Sequence, residues 1–296
     1  MIFLKKFICL FLSLCIFVLC GCTPKTADSR SETDAAATTE KYDTYTGKAP
    51  LKAVHFTVSD PQNSKGLATN KIAHSFGVAS NGEPHEIAKQ SQKYFDDNKV
   101  NAITYDTRGE KVLYLTFDCG YENGNTEIIL DVLKEKKVKA AFFCTLINIK
   151  SNPELMARII NDGHILGNHS ANHPCFDEIS REKMAKEIED CDNYLREKFG
   201  YTSPYFRFPK GEYSENALEL VNSIGFRCVF WSLAYNDWNT DQQKGGDYAF
   251  EKVTSRLHPG AIILLHSVSA DNAQAMGRII DYARDQGYEF KTLNDL

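Results

Sequence analysis

From Lys111 onward, short unbroken apolar runs alternate with stretches whose apolar positions recur every three to four residues. The runs Val112–Phe117, Ala140–Cys144, His164–Gly167, Tyr205–Phe208, Phe226–Trp231 and Ala261–Leu265 predict strands, because continuous hydrophobicity is what a strand covered on both faces requires. Between them, helical spacing marks 127–136, where Ile128, Ile129, Val132 and Leu133 share one face, and 153–160, with Pro153 in the first turn. Ser180 predicts an N-cap for a helix reaching Phe199, with Glu182 and Lys183 in its first turn. Further helices are expected near 215–224, 248–257 and 272–286, and Tyr288–Lys291 reads as a last strand. Strand–helix alternation over residues 111–296 implies an α/β fold with a parallel sheet, closed or nearly closed into a barrel.

Before Lys111 the pattern weakens. Residues 51–110 are rich in Gly and Asn, carry the histidines His55, His74 and His85, and hold one candidate helix around Ile87–Phe95. They read as an N-terminal extension packed on the barrel and close to its site. Residues 23–50 are Thr, Ala, Ser, Asp and Glu with few bulky apolar groups, the composition of a flexible tether. At the start, Lys5-Lys6 precede an apolar stretch from Phe7 to Cys20, the length of a signal peptide and short for a membrane span. It ends in Leu19-Cys20-Gly21-Cys22, which resembles a bacterial lipobox, so residues 1–22 read as a lipoprotein signal with Cys22 as the lipidated residue. A plain signal peptide or an uncleaved anchor is the alternative. The chain is thus expected to be exported and lipid-anchored on the outer face of the cytoplasmic membrane.

The 296 residues are 43% hydrophobic and 25% charged, ordinary for a globular protein. The formal charge is -5, with no basic stripe or Lys/Arg run, which argues against nucleic acid as a partner. Of the nine cysteines, Cys119, Cys144, Cys175, Cys191 and Cys228 lie beyond Cys22. An odd number without CxxC spacing does not suit a disulfide framework and leans towards a reducing habitat.

The candidate chemistry sits where apolar runs stop, the place where barrel strands deliver catalytic side chains. Asp118 directly follows a strand and could act as a general base, or merely cap a turn. His169 and His173 are four apart, so a helical segment would put both imidazoles on one face as metal ligands; surface or core histidines are the plainer reading. Arg207 could hold a carboxylate ionised, or form a surface ion pair. Asp237 could orient a histidine beside Trp238, whose indole suits a sugar ring. His266, after Ile262–Leu265, could protonate a leaving amine with Asp237 raising its pKa, although a lone histidine there is usually structural. Each signal alone is weak; their joint occurrence in one order makes metal-assisted amide hydrolysis the reading.

Taken together, Thr116-Phe117-Asp118-Cys119-Gly120, His169-Ser170-Ala171-Asn172-His173, Arg207-Phe208-Pro209-Lys210-Gly211, Asp237-Trp238 and Leu264-Leu265-His266 resemble the five motifs of the NodB-homology polysaccharide deacetylases, carbohydrate esterase family 4. The resemblance covers residues 111–296. It implies a distorted (β/α) barrel that removes acetyl groups from polysaccharides with a divalent metal, zinc being the best candidate. It further implies Asp118 as catalytic base, His169 and His173 as metal ligands, Arg207 as the residue positioning the base, Asp237 as the one tuning the acid, and His266 as general acid. The family's first motif usually has a second Asp as third ligand where this chain has Cys119. A thiolate there would complete a Cys-His-His zinc site; otherwise two histidines, water and Asp118 would hold a weaker metal. Tyr121, Lys210 and Trp238 are the candidate substrate contacts, and a backbone N–H near Tyr205–Phe208 the candidate oxyanion donor.

The Cys119 departure, with Gly120-Tyr121-Glu122-Asn123-Gly124 after it, resembles the branch that makes muramic-δ-lactam in the spore cortex. That branch implies removal of the N-acetyl group from N-acetylmuramic acid in peptidoglycan glycan strands after an N-acetylmuramoyl-L-alanine amidase has taken off the stem peptide. Two other readings stand beside it: a broader peptidoglycan or chitin-type N-acetylglucosamine deacetylase, and an inactive glycan-binding lipoprotein, for which Cys119 is the support.

Overall fold

Hydrogen-bond register turns the predicted strands into one curled parallel sheet. The computed structural model describes residues 49–296; the signal segment with Cys22, and the tether as far as residue 48, lie outside the described residues. In chain order the strands are β1 (Ile72–Ala73), β2 (Ala102–Ile103), β3 (Val112–Cys119), β4 (Ala141–Cys144), β5 (Ile165–Asn168), β6 (Tyr205–Phe206), β7 (Glu212–Tyr213), β8 (Arg227–Val229), β9 (Ala261–His266) and β10 (Glu289–Lys291). The helices are α1 (Glu86–Asp97), α2 (Thr126–Glu135), α3 (Leu146–Ser151), α4 (Pro153–Asn161), α5 (Arg181–Phe199), α6 (Glu215–Ser223), α7 (Gly246–Thr254) and α8 (Ala270–Asp285).

β3 is the hub. β9 runs along one edge of it, while the other edge carries β10 at the start and β4 at the end, all parallel. From β4 the sheet continues through β5, β6 and β8 to β2. The chain running on from β8 then meets β9, with a parallel bridge between Leu233 and Ile263 and a 2.9 Å bond from Leu264 N to Leu233 O. The result is the distorted (β/α) barrel that the motif order implied.

Side-chain alternation divides the core cleanly. Leu113, Leu115, Phe117 and Cys119 of β3, with Ala261, Ile263 and Leu265 of β9, pack outward against α2 and α8. Tyr114, Phe143, Ile262 and Leu264 fill the interior together with Trp231. A third cluster built on Phe206, Phe208, Tyr213 and Phe230 seats α1, α5 and α6. Among the described residues no helix is long and apolar enough to cross a membrane.

Several elements differ from the sequence reading. The runs 205–208 and 226–231 yield strands of only two and three residues, because Pro209 and the turn into the site end the pairing. α3 follows β4 directly, capped by Thr145 Oγ1 accepting from Asn148 N at 3.2 Å. The expected boundary at Lys111 cuts through the sheet, since Ala102 and Ile103 form its last strand beside β8. The rest of the extension is fastened to the barrel: Leu51 N bonds Arg196 O at 2.8 Å, and β1 pairs antiparallel with β7.

Candidate active site

β3 and β9 end level with each other, and the register sets Asp118 opposite His266. Both residues fall on interior positions of their strands, so alternation aims their side chains into the mouth of the barrel. They line a cavity of about 750 Å³ with His169, His173, Lys210 and Trp238.

Arg207 is the keystone. Its guanidinium is fully buried and fans out to Asp118 Oδ1 at 2.8 Å, Thr116 Oγ1 at 3.0 Å, Val229 O at 2.9 Å and Phe230 O at 3.2 Å. A buried cation is tolerable only when its donors are matched in this way, and only the rigid fork of arginine can span these acceptors. The Phe143 ring lies beneath it, 4.2 Å from the guanidinium carbon. Gly167 makes room for that ring, since a Cβ there would sit 2.6 Å from Phe143 Cδ1. Burial alone would raise the pKa of Asp118, but the charge of Arg207, then His169 and His266, outweighs it and keeps the carboxyl below its ordinary range.

His169 and His173 do come together, though not on a helix. Residues 169–175 form a loop in which Ser170 and His173 take positive φ (67° and 57°), and the loop brings the two rings to 4.9 Å in an edge-to-face arrangement. His169 Nδ1 lies 2.8 Å from Arg207 O, a bond that places the proton on Nδ1 and frees Nε2, 3.6 Å from Asp118 Oδ2. Burial pushes both imidazoles below their ordinary pKa, His173 to about 4, so both are neutral donors at physiological pH.

Opposite them, Asp237 accepts from the His266 backbone N–H and pairs with His266 Nδ1, each at 2.7 Å. Burial pulls the His266 pKa down, but Asp237 outweighs it and raises it above the ordinary value. The other side of Asp237 is held by Asn272 Nδ2 at 2.6 Å, and Asn272 in turn accepts from Tyr235 Oη at 2.6 Å. Thr116, Asn272 and Tyr235 are the supporting residues that sequence reasoning passed over. Thr116 stood within a quoted motif and Asn272 at the start of an expected helix, but their partners are 91 and 35 residues away.

Cys119 is not in the cavity. It is one residue beyond Asp118 on a strand, so it faces outward into the core cluster with Phe117 and Cys144, and its sulfur accepts from Ser267 Oγ at 3.2 Å. The Cys-His-His site expected from the motif is therefore not assembled. The expected oxyanion donor is not found within Tyr205–Phe208: Arg207 N donates to Asn168 O at 3.0 Å, and none of these four residues lines the cavity. Tyr121 and Trp238 stand on the rim, 52% and 45% exposed, and Lys210 joins them with its Nζ 3.3 Å from Cys175 Sγ.

Among the described residues no group of three or more His, Cys, Asp or Glu forms a ready-made metal cage. Two neutral imidazoles beside an ionised carboxylate still suit a divalent cation that completes its shell with water or substrate oxygen.

Comparison with known proteins agrees with this geometry. The polysaccharide deacetylase family pattern matches residues 105–229. The chain is 37% identical over 79% of its length to the peptidoglycan-N-acetylmuramic acid deacetylase PdaA of Bacillus subtilis, covering 88% of that protein. It is 33% identical to a peptidoglycan-N-acetylglucosamine deacetylase of Bacillus cereus, over 60% of this chain and 66% of that one. The solved structure of Bacillus subtilis PdaA, a family 4 carbohydrate esterase, superposes with a TM-score of 0.74 at 38% identity, covering 78% of this chain and 98% of that one.

Proposed function

Since the chain belongs to the polysaccharide deacetylases of carbohydrate esterase family 4, and is a peptidoglycan N-deacetylase, we propose that it removes the acetyl group of N-acetylmuramic acid and so leads to muramic-δ-lactam. The observation that carries this reading is one cavity in which a carboxylate, Asp118, bonded by Arg207, faces a histidine, His266, bonded by Asp237, from adjacent strand ends; Arg207 lowers the pKa of the first and Asp237 raises that of the second. Hydrolysis of an amide needs both: a base to take a proton from the attacking water and an acid to give one to the departing amine.

In this reading Arg207 keeps Asp118 unprotonated and fixed in direction, so the base is ready before substrate arrives. Asp237 does the converse for His266, fixing its Nδ1–H and leaving Nε2 to deliver its proton to the amide nitrogen. A divalent cation, zinc by preference, held by His169 and His173 with Asp118 alongside, would supply Lewis-acid polarisation of the acetamide carbonyl. The products are acetate and a free amine, which closes onto the lactyl carboxyl with loss of water. Lys210 places a cation on the cavity rim where that carboxylate would enter. The similarity to PdaA and the Tyr121-Glu122-Asn123-Gly124 stretch support muramic acid over glucosamine. Peptidoglycan stripped of stem peptide by an amidase is the substrate this reading requires. The lipobox-like Leu19-Cys20-Gly21-Cys22 supports an exported lipoprotein, and the lactam product a role in the spore cortex.

The test is acetate release from peptide-stripped glycan and from chitooligosaccharides, with zinc or with chelator, by wild type and Asp118→Asn. Zinc-dependent acetate with a lactam-mass product, absent in Asp118→Asn, is the expected result. Acetate from chitooligosaccharides alone would move the reading to N-acetylglucosamine. No acetate from either substrate would leave a glycan-binding protein.

A further inference from the structure

We propose that Phe76, from the segment preceding the barrel's first strand, is a positioning residue of the site: it braces Trp238 against the acid His266. The inference rests on the reading of His266 as the acid. The Phe76 and Trp238 rings meet edge to face at 6.1 Å, and Trp238 meets the His266 ring in the same manner at 5.5 Å. All three line the cavity. The side chains thus form a row from the extension, across the mouth, to the proposed proton donor.

The backbone shows that Phe76 is delivered with some care. Two residues earlier, His74 is buried, its N–H bonds Gly211 O at 2.9 Å, and its Nε2 lies 2.7 Å from Trp231 O. One residue later, Gly77 lies so close to His85 that a Cβ would be 2.8 Å from the imidazole. Phe76 is therefore pinned on both sides, between an anchored histidine and a close backbone approach. Gly211, which receives His74, has φ +67°, and a Cβ there would reach 2.5 Å from Trp231. The anchoring of the extension and the shape of the site thus share the same residues.

Trp238 needs such a brace. It is 45% exposed, follows Asp237 in a loop, and makes no side-chain hydrogen bond that could fix its ring among the described contacts. A half-exposed indole samples several rotamers unless something packs on it, and the His266 ring, held by Asp237 on its Nδ1 side, would then lose its packing partner on the other. An edge-to-face aromatic pair contributes beyond its buried area, enough to favour one rotamer.

Kinetics and fluorescence on the full-length protein test this together. Phe76→Ala should lower kcat/KM on peptide-stripped glycan by roughly three- to ten-fold, the range that one aromatic contact converts to. The loss should fall in kcat as well as KM, and Phe76→Tyr, which keeps the ring, should restore it. The double variant Phe76→Ala, Trp238→Ala should be no worse than Trp238→Ala alone, because the brace has nothing left to hold. Without any substrate, acrylamide should quench Trp238 more readily in Phe76→Ala; the chain has only Trp231 and Trp238, so the Trp238→Ala protein supplies the baseline. If Phe76→Ala unfolds, Phe76→Leu, which keeps the apolar volume and loses the ring edge, takes its place in every measurement. Multiplicative losses in the double variant, or unchanged quenching, would overturn the proposal. A wild type inactive on every glycan would sink the deacetylase reading, while the quenching result would still decide whether Phe76 holds Trp238.

Discussion

Asp237 commits both of its carboxylate oxygens to the acid side of the site. One carboxylate oxygen pairs with the His266 imidazole at 2.7 Å, and the other accepts from the His266 backbone and from Asn272. Because Asp237 is what lifts the His266 pKa against burial, its removal has a definite sign. In Asp237→Asn the histidine loses its partner charge and its pKa falls, so the protonated acid disappears at lower pH. The alkaline limb of the kcat/KM profile is expected to move to lower pH, with a fall in rate of about 10²–10⁴ at neutral pH if the acid role is carried by His266. A profile with its alkaline limb unmoved would assign that limb to another group. At this scale the residue types were readable in the sequence, because strand ends and histidine spacing are local. What touches what was not: Cys119 and Asp118 are neighbours in the motif, yet strand alternation sends one sulfur into the core and the other residue's carboxylate into the cavity. That alternation is itself a sequence property, so the misplacement of Cys119 was avoidable. The bond from Asn272 to Asp237 was not, since nothing local announces a partner 35 residues away.

Among elements, long apolar runs were the easiest to find and two-residue strands the hardest. β3 and β9 each bury a continuous run, whereas β1, β2 and β7 are too short for any periodicity to register, and β6 shows only as part of the run 205–208. Those short strands are nonetheless what docks the extension and completes the sheet. The turn before β9 shows how tight this assembly is. Gly260 has φ +75°, exchanges backbone bonds with Asp106 and Val112, and a Cβ on it would lie 2.1 Å from the Asp106 carbonyl oxygen. Since that contact is backbone against backbone, no side chain can swing aside to relieve it. Gly260→Ala is expected to cost about 3 kcal/mol or more, read as a lowered urea midpoint. A loss below about 1 kcal/mol, the size of an ordinary surface change, would mean the turn can move and the packing here is looser than described.

Over the whole molecule, the loop between β2 and β3 and the chain's end are tied together at the face away from the cavity. Asp106 accepts from Arg108 Nη2 at 2.6 Å and from Tyr114 Oη at 2.7 Å, and Arg108 also reaches Asp295 O at 3.0 Å. Burial works against the Asp106 carboxylate, but these bonds prevail and hold its pKa down to about 2 from 3.8. A depressed carboxyl pKa contributes stability above the unfolded value, and that contribution is lost as pH falls through the folded one. Asp106→Asn should therefore be about 2 kcal/mol less stable at neutral pH, with the gap constant down to about pH 5 and shrinking below it. Urea titrations across that range measure it, and a gap independent of pH would show that the carboxylate's charge is not what matters.

The way β3 is flanked has a consequence for how the protein is made. Its two outer partners, β9 and β10, are the last strands of the chain, and the proposed acid is carried by one of them. During synthesis, β3 emerges with one edge bare and must wait for about 150 further residues before β9 can cover it. Pairings this distant in sequence form late, because closing a long loop costs entropy before any contact repays it. The nascent chain therefore stays open, and catalytically blank, until its final strands have left the ribosome.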